Sequence, residues 1–427
     1  MPMPIGDKIN EIYTDISTNV TGIYNRTNLH LAIDLVYHSP LSFYFGKKLI
    51  EKGYPEALII GDTRCGKSET SKKLIDHYRL GARSSGENTT PAGLVGGLHQ
   101  VRNGWRVSWG RIPINDKRLL FIDEVSGILA EQIAQMSDLR SSGVAELTKI
   151  QTERTLARTR LVWLSNPRSS DSINNFGSGT EIITNLIGKP EDIARFDFVI
   201  ILEKDEINED DADERKQPSV PHVLTSDLCH NLVLWAWSRH PEQVRLGAAT
   251  IDACHDFGKL MGRKYSSDCP IVNSMEQKIK LARLSVALAC RLFSCDDTGQ
   301  NVIVTPDHVA YVHDFLNKQY DVSHFAYDMF SYKKIHEGYI KDTKRVVELI
   351  SQWGEETCWQ VLDNSQITVK YIEESTGAQY DDAKAQVAVL LKNRCIKKSH
   401  GFYIKNPAFI KLLKRYLANP TKLKEEF

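Results

Sequence analysis

Eight consecutive residues near the start of the chain have the types and spacing of a phosphate-binding loop. They match the pattern G-x-x-x-x-G-K-[S/T] and are Gly61, Asp62, Thr63, Arg64, Cys65, Gly66, Lys67 and Ser68. Glycines let the backbone bend so that amide N–H groups converge on phosphate oxygens. A helix that begins here directs its positive dipole end at the same point. We therefore predict that Lys67 reaches the β- and γ-phosphates of a nucleotide and that Ser68 ligates Mg²⁺.

Two acidic residues, Asp123 and Glu124, directly follow the apolar run 119–122. A strand over this run would deliver Asp123 to Mg²⁺ and place Glu124 to orient and deprotonate an attacking water. Asn166 comes shortly after another apolar run, 160–164, where a polar side chain would hold the same water near the γ-phosphate. Together with the loop, these residues predict hydrolysis of a nucleoside triphosphate.

Four short apolar runs alternate with helical segments and predict a parallel α/β sheet. The runs are 57–60, 118–122, 160–164 and 198–202. A helix is predicted over 69–80, directly after the loop. A second is predicted over 275–293, where apolar residues recur at three- and four-residue spacings. Thr305 and Pro306 fit the N-cap and first position of another helix.

The end of the chain has a different pattern. The helices predicted there are 344–353, 368–375 and 381–393. Two short apolar segments around a turn at 399–401 predict a β-hairpin after them, which is the order of a winged-helix domain. The predicted divisions are an N-terminal helical leader (1–50), an α/β core (51–222), a helical lid (223–325) and the winged-helix domain (341–427).

Composition limits the class of protein. The 427 residues include 54 Lys or Arg and 54 Asp or Glu, so the net charge is 0, which excludes a uniformly basic coat but leaves local basic patches. No apolar run reaches the ~18 residues of a membrane span, so we expect no membrane partner. Eight cysteines without a Cys-x-x-Cys pair indicate reduced thiols and a cytoplasmic protein. The alternative is a zinc site, whose ligand spacing is wrong here; its residues would be Cys254, His255, Cys290 and Cys295.

Together, these residues resemble the AAA+ ATPases, and within them the minichromosome-maintenance (MCM) helicases. Residues 61–68 are similar to the Walker A block of that family, and residues 122–124 are similar to its Walker B block. The order and spacing of the family's blocks agree over residues 57–202. The other similar blocks are 90–97, the tryptophan-containing hairpin 103–110, the strand ending Ser165-Asn166-Pro167-Arg168, and Ala194-Arg195-Phe196-Asp197, which resembles the arginine finger.

The resemblance implies a ring, usually a hexamer, with ATP and Mg²⁺ bound between subunits. Arg195 would then reach the γ-phosphate of a neighbour's ATP, whereas the alternative is an ordinary salt bridge to Asp192 or Asp197. Asn166 would be the sensor-1 residue. The expected sensor-2 position carries no arginine, and the candidates are Lys278, Lys280 and Arg283. The 60 residues before the loop are too few for the family's N-terminal collar, as in compact MCM-like proteins of phages and mobile elements.

Two hairpins are expected to grip DNA in the channel of such a ring. Arg106 belongs to the tryptophan-containing hairpin, and Lys149 falls next to the position of the lysine in the family's pre-sensor hairpin. A lysine there would pair with backbone phosphates without reading sequence. The alternative for Lys149 is a solvated surface charge. Lys397 and Lys398 belong to the winged-helix segment, which would bind DNA or contact another protein.

The resemblance leads to three hypotheses about function. The first is an ATP-driven, ring-forming DNA translocase or helicase that serves replication of a phage, plasmid or other mobile element. It would act on single-stranded or forked DNA, with a primase or another replication protein as a further partner. The second is an AAA+ switch that binds or loads onto DNA without unwinding it. The third is a protein-remodelling ATPase, which requires an aromatic-hydrophobic pore loop that the sequence does not display.

Overall fold

The structure is a computed structural model of the chain, and it divides into two compact units, Met1–Asp328 and Met329–Phe427. The predicted leader, core and lid lie in the first unit, and the predicted winged-helix segment lies in the second. The described residues are 3–101, 104–148, 152–168, 173, 176, 178–204, 207, 214–217, 219–265, 269–327, 340–364, 366–399 and 402–420.

A five-stranded parallel sheet lies in the first unit, with the strand order β11-β3-β10-β7-β4. Its strands are β3 (Ala57–Gly61), β4 (Ala82–Ser85), β7 (Leu119–Asp123), β10 (Arg160–Ser165) and β11 (Phe198–Leu202). Every residue of four of these strands is buried, and only the edge strand β4 is partly exposed. Burial on both faces is usual for parallel strands and accounts for the continuous apolar runs. The predicted mixed α/β class with a parallel sheet is confirmed.

The other strands of this unit form short pairs. They are β1 (Phe43–Phe45) with β2 (Lys48–Ile50), β5 (Gly96–Val101) with β6 (Gly104–Trp109), β8 (Val144–Thr148) with β9 (Thr152–Leu156), and β12 (Val244–Leu246) with β13 (Val302–Val304). The first three pairs are antiparallel, so the two hairpins expected from the sequence, β5–β6 and β8–β9, are confirmed. These hairpins lie against each other, because a Cβ atom on Gly96 would stand 3.1 Å from Leu147 Cδ1.

Helices make up most of the rest of the first unit. They are α1 (Ile5–Ile16), α2 (Thr27–Tyr37), α3 (Lys67–Tyr78), α4 (Pro91–Leu94), α5 (Arg111–Ile114), α6 (Ala130–Gln135), α7 (Ser137–Ser142), α8 (Gly179–Ile187), α9 (Pro190–Ala194), α10 (Ser226–Trp237), α11 (Ala248–Lys264), α12 (Gln277–Arg291) and α13 (Pro306–Tyr320). The helices predicted over 69–80 and 275–293 correspond to α3 and α12. Thr305 is the N-cap of α13 and Pro306 is its first residue, as predicted, and the Thr305 backbone N–H donates to His308 Nδ1 at 3.1 Å. The predicted helical leader is helical only as far as Tyr37, and β1 and β2 follow it.

The second unit contains three helices, a hairpin and a final helix. They are α14 (Thr343–Asp363), α15 (Val369–Thr376), α16 (Tyr380–Lys392), β14 (Ile396–Ser399), β15 (Phe402–Lys405) and α17 (Pro407–Ala418). The predicted order of three helices followed by a hairpin is confirmed, and the part of α14 before its kink at Gly354 corresponds to the predicted segment 344–353. Gly354 interrupts this helix with φ 78° and ψ 176°, which only glycine adopts at low cost. The unit has a hydrophobic core of its own.

A buried ion pair connects helices from the leader, the core and the lid. Asp34 on α2 accepts a hydrogen bond from Arg291 Nε on α12 at 2.7 Å, and each side chain is 1% exposed. The same carboxylate accepts hydroxyl hydrogen bonds from Tyr13 on α1 at 3.1 Å and from Tyr78 on α3 at 2.9 Å. A buried carboxylate is tolerated when its lone pairs are satisfied in this way. The lid helix is therefore tied to the helix that follows the phosphate-binding motif.

We predict that Arg291→Met lowers the free energy of unfolding by about 3–5 kcal/mol, because it leaves the Asp34 charge buried without a cationic partner. The measurement is urea denaturation followed by tryptophan fluorescence. The double variant Asp34→Asn with Arg291→Met is the control, since it removes the orphaned charge and should recover part of the loss. Equal stability of the single and double variants would show that the charge of Asp34 does not determine the loss.

Candidate nucleotide-binding site

Three strands deliver the predicted polar residues to one edge of the sheet. β3 ends at Gly61, β7 ends at Asp123, and β10 ends at Ser165, directly before Asn166. Because these strands are parallel and adjacent, with Trp163 opposite Ile122 and Ser165 opposite Ile60, their carboxyl ends meet. Ligands of open α/β sheets bind outside these ends.

Two glycines shape the loop between β3 and α3. Gly66 has φ +83° and precedes α3, a conformation that an L side chain rarely adopts. Gly61 has φ in the ordinary range, but a Cβ atom there would lie 3.0 Å from the Leu202 carbonyl oxygen and 3.2 Å from Lys67 Cδ. The loop therefore brings its backbone close to the lysine and to the first turn of α3. Thr63, Arg64 and Ser68 are exposed on it.

Two loop side chains face the protein and not the solvent. Asp62 is buried, and its Oδ1 accepts from the Ile173 N–H at 3.0 Å while its Oδ2 accepts from the Lys204 N–H at 3.3 Å. Cys65 is also buried, with Sγ 3.5 Å from the Leu202 carbonyl oxygen. These two residues anchor the loop to the segments that follow β10 and β11. Their side chains hold the loop, whereas the backbone amides remain the groups suited to phosphate.

The Lys67 ammonium group is surrounded by oxygen atoms of the site. Its Nζ donates to the carbonyls of Gly61 at 2.7 Å and Asp62 at 2.8 Å, and to Asn166 Oδ1 at 3.0 Å. The side chain is buried, and this burial lowers the pKa of Lys67 to about 8. Two residues that the sequence places 99 positions apart thus share a hydrogen bond. The predicted sensor residue Asn166 therefore lies close enough to contact a group that binds to Lys67.

The two acidic residues have partners that the sequence did not indicate. Asp123 Oδ2 pairs with Arg83 Nη2 at 2.5 Å, and Glu124 Oε2 accepts from Ser85 Oγ at 2.5 Å. Both partners lie on β4, whose Ser85 stands opposite Asp123 in the parallel register. Glu124 has φ +56°, a left-handed conformation that is uncommon for a side-chain-bearing residue and is often found at functional sites.

The donor set suits magnesium better than a transition metal. Ser68 and Asp123 offer oxygen ligands, and Mg²⁺ is typically held by one or two protein oxygens together with phosphate and water. All eight cysteines are free thiols. In the part of the chain that the structure describes, no group of three or more His, Cys, Asp or Glu side chains is arranged to hold a metal ion. Ser68 and Asp123 are therefore oxygen donors of the kind that Mg²⁺ takes together with phosphate.

Arg195 lies in a different place from these residues. Its Nε donates to Ser137 Oγ at 2.7 Å and stands 3.9 Å from Asp192 Oδ1, and the side chain is 24% exposed. It lines a cleft of about 1180 Å³ together with Lys48 and Lys278. Among the described residues that line this cleft, none comes from the loop 61–68, and Asp123, Glu124 and Asn166 are likewise absent. The structure brings Lys67, Asp123, Glu124 and Asn166 together but keeps Arg195 apart.

Two of the three sensor-2 candidates have structural partners. Lys280 is buried, and its Nζ donates to three backbone carbonyls. Arg283 donates to Asp197 Oδ1 at 2.8 Å and to the Lys52 carbonyl at 2.7 Å. Within the chain, Lys280 and Arg283 therefore both contact protein oxygens, and their candidacy for the sensor-2 position stays a prediction. Lys278 lines the cleft beside Arg195.

The structure describes three of the four candidates for DNA contact. Arg106 is exposed on β6, opposite His99 of β5. Lys149 lies outside the described residues. Lys397 and Lys398 are both exposed on β14 in the second unit.

Comparison of the sequence with protein-family models gives no match. Comparison with curated proteins gives no match either. Across the described residues, every helix is too short or too polar to traverse a lipid bilayer.

We predict that Lys67→Ala weakens nucleotide binding by roughly 10- to 100-fold, because one hydrogen bond to a charged group is worth about 1.5–3 kcal/mol. The measurement is titration with a fluorescent ATP analogue. Lys72→Ala is the matched control, because Lys72 is exposed on the same helix α3. Equal losses in the two variants would mean that Lys67 acts only through general surface charge.

Proposed function

We propose that the chain is an AAA+ ATPase similar to the MCM helicases, which assembles into a ring and moves along DNA. The observation that carries the proposal is the hydrogen bond from Lys67 to Asn166, made beside Asp123 and Glu124 at the carboxyl edge of a parallel sheet. Glycine-rich loops occur in many proteins. Here the loop lysine contacts an asparagine that follows β10. Strand β10 lies between β3, which leads into the loop, and β7, which ends at the two acids. This arrangement fits hydrolysis of a phosphoanhydride.

Each residue then has one role in hydrolysis. The loop amides and Lys67 would bind the β- and γ-phosphates, while Ser68 and Asp123 would hold Mg²⁺, which supplies charge neutralisation. Glu124 would orient and deprotonate the attacking water, and Asn166 would hold that water near the γ-phosphate. The hydrogen bond from Ser85 to Glu124 supports this role, because it holds the carboxylate in place at the strand end. The backbone of Glu124 is in the strained left-handed conformation there.

The separation of Arg195 from the loop supports a shared site between subunits. Arg195 lines a cleft that contains none of the nucleotide-binding residues, so within one chain it has no phosphate to contact. A neighbouring subunit that places its loop against this cleft would complete both halves of the site. Repeated head-to-tail, this contact closes into a ring, and the family resemblance favours six subunits.

The two neighbouring hairpins support contact with DNA. β5–β6 carries the exposed residues Trp105 and Arg106, and β8–β9 lies against it through Leu147 and Gly96. Consecutive strand residues point to opposite faces of the hairpin, so one face offers an arginine suited to phosphate and the other an aromatic ring suited to base stacking, both without sequence preference. We further propose that the second unit is a winged helix whose Lys397 and Lys398 contact DNA.

We predict that Arg195→Ala lowers ATP turnover on the order of 10³-fold while the affinity for ATP changes little, because the arginine serves a neighbour's site. Glu124→Gln should bind ATP but hydrolyse it slowly, since water activation is lost. The test mixes the two inactive variants. In a mixed ring, the Arg195→Ala subunit keeps an intact nucleotide site with Glu124, and a neighbouring Glu124→Gln subunit supplies Arg195 to that site. Activity should therefore return.

Failure of the mixture to regain activity, with assembly demonstrated by light scattering, would contradict the role in trans. Wild-type-like turnover by Glu124→Gln would remove its assignment as the residue that activates water.

We predict that Lys149→Ala and Arg106→Ala weaken DNA binding about equally across sequences and flatten its salt dependence. Each lost phosphate contact should reduce the slope of log affinity against log salt by roughly 0.7–0.9 per engaged subunit. Basal ATPase activity should persist because neither residue belongs to the proposed nucleotide-binding site. Lys318→Ala is the control, since Lys318 is exposed on the lid helix α13. Wild-type affinity and slope in both variants would show that neither hairpin grips the phosphate backbone.

A strand-displacement assay on a forked duplex tests the proposed function itself. A helicase should displace the strand with ATP and show ATPase activity stimulated by DNA. Stimulation without displacement would instead favour the ATP-dependent loading switch. ATPase activity that DNA leaves unchanged would contradict both forms and leave protein remodelling as the remaining hypothesis.

A further inference from the structure

A buried lysine of the lid helix holds the backbone on both sides of Arg195. Lys280 Nζ donates to the carbonyl of Ala194 at 2.9 Å and to that of Phe196 at 2.6 Å, and a third hydrogen bond reaches Ile271 at 2.7 Å. Ala194 and Phe196 are the two residues adjacent to Arg195 in sequence. The lid helix α12 is thus bonded to the chain directly before and directly after the arginine.

The three bonds use all the donor capacity of the ammonium group. Lys280 is 2% exposed, and a buried ammonium is costly unless its three N–H groups are satisfied. Three carbonyl oxygens within 3.0 Å meet this requirement and restrict where the backbone at 194–196 can lie. Burial lowers the pKa of Lys280 to about 8; Asp197 and Glu276 oppose this shift, whereas Arg283 and Lys52 add to it.

The neighbouring residues of the same segment are held as well. Asp197 pairs with Arg283 of α12 at 2.8 Å, and the Arg140 guanidinium lies 4.5 Å from the centre of the Phe196 ring. Arg195 itself remains part-exposed on the cleft, with Ser137 as its hydrogen-bonding partner. Its backbone is therefore fixed from the core and the lid, while its side chain extends toward the cleft.

We propose that Lys280 is a positioning residue for Arg195, through which the lid helix sets where the arginine stands relative to a neighbouring subunit's nucleotide. The inference rests on the proposed function, because it assigns a role to Lys280 only if Arg195 acts in trans. Catalytic groups lose on the order of 10²-fold in rate when displaced by about 1 Å. Loss of the Lys280 bonds should therefore impair the site to which Arg195 belongs and spare the nucleotide site of its own chain.

The test is Lys280→Met, a substitution that keeps the length of the side chain and removes the donors. We expect ATP turnover to fall roughly 10- to 100-fold, with the affinity for a fluorescent ATP analogue unchanged within about threefold. Mixing Lys280→Met with Glu124→Gln subunits should restore turnover, because the second subunit supplies a correctly held arginine to the intact site of the first. A lysine that contacts ATP within its own chain, or that only supports folding, gives no such rescue.

Lys405→Met is the matched control. Lys405 Nζ likewise donates to three backbone carbonyls, those of Val361, Leu362 and Asn364, but it lies in the second unit. Its loss should leave basal ATP turnover unchanged. Lys280→Gln, which keeps an N–H₂ donor group, is the second variant and should retain more turnover than Lys280→Met.

The outcomes separate this inference from the proposed function. If Arg195→Ala keeps full turnover, the role of Arg195 in trans fails, and the inference fails with it. If Arg195→Ala is inactive and rescued by Glu124→Gln while Lys280→Met keeps wild-type turnover, the inference alone is overturned. Loss of nucleotide binding in both Lys280 variants, or absence of rescue, also overturns it, because Lys280 then supports the fold or the site of its own chain.

Discussion

The parallel pairing of β3 with β10, and of β10 with β7, is the constraint on which the rest of the first unit depends. These strands are buried along their whole length and are apolar apart from Arg160 at the start of β10, and the polar groups of the site appear where the strands end. Parallel direction brings those ends to one edge. The loop, the two acids and Asn166 therefore converge because of backbone register, with no need for them to be near in sequence.

The same sheet separates the two halves of the proposed catalytic machinery. Asp123 and Asn166 lie at strand ends and Lys67 begins the helix after β3, whereas Arg195 lies after α9 and before the start of β11, at the amino ends of the strands. Its side chain donates a hydrogen bond to Ser137 there, and Lys280 holds the backbone on both sides of it. Parallel strands keep their two ends apart, so under the proposed function an arginine at the amino edge would serve the nucleotide bound at the carboxyl edge of another copy. The geometry of one chain thus motivates assembly.

Much of the fold was predictable from the sequence because burial on both faces leaves a strong apolar signal. That signal fails for β4, whose residues Ala82–Ser85 are partly exposed and polar, so Arg83 and Ser85 were missed as partners of Asp123 and Glu124. Their role depends on the pairing of Ser85 with Asp123, which no local pattern encodes. The three carbonyl partners of Lys280 could not be predicted for a related reason: helical position indicates which face a residue occupies, but not which backbone groups lie opposite that face.

The most direct test of the central idea is ATP turnover per chain as a function of protein concentration, with assembly followed by mass photometry and nucleotide held at saturation. Because Arg195 of one subunit would complete the site of another, turnover per chain should be very low where the chains are single. It should rise in step with the formation of rings. A turnover per chain that stays constant down to concentrations at which only single chains are observed would contradict a shared site, and would mean that each chain hydrolyses ATP alone.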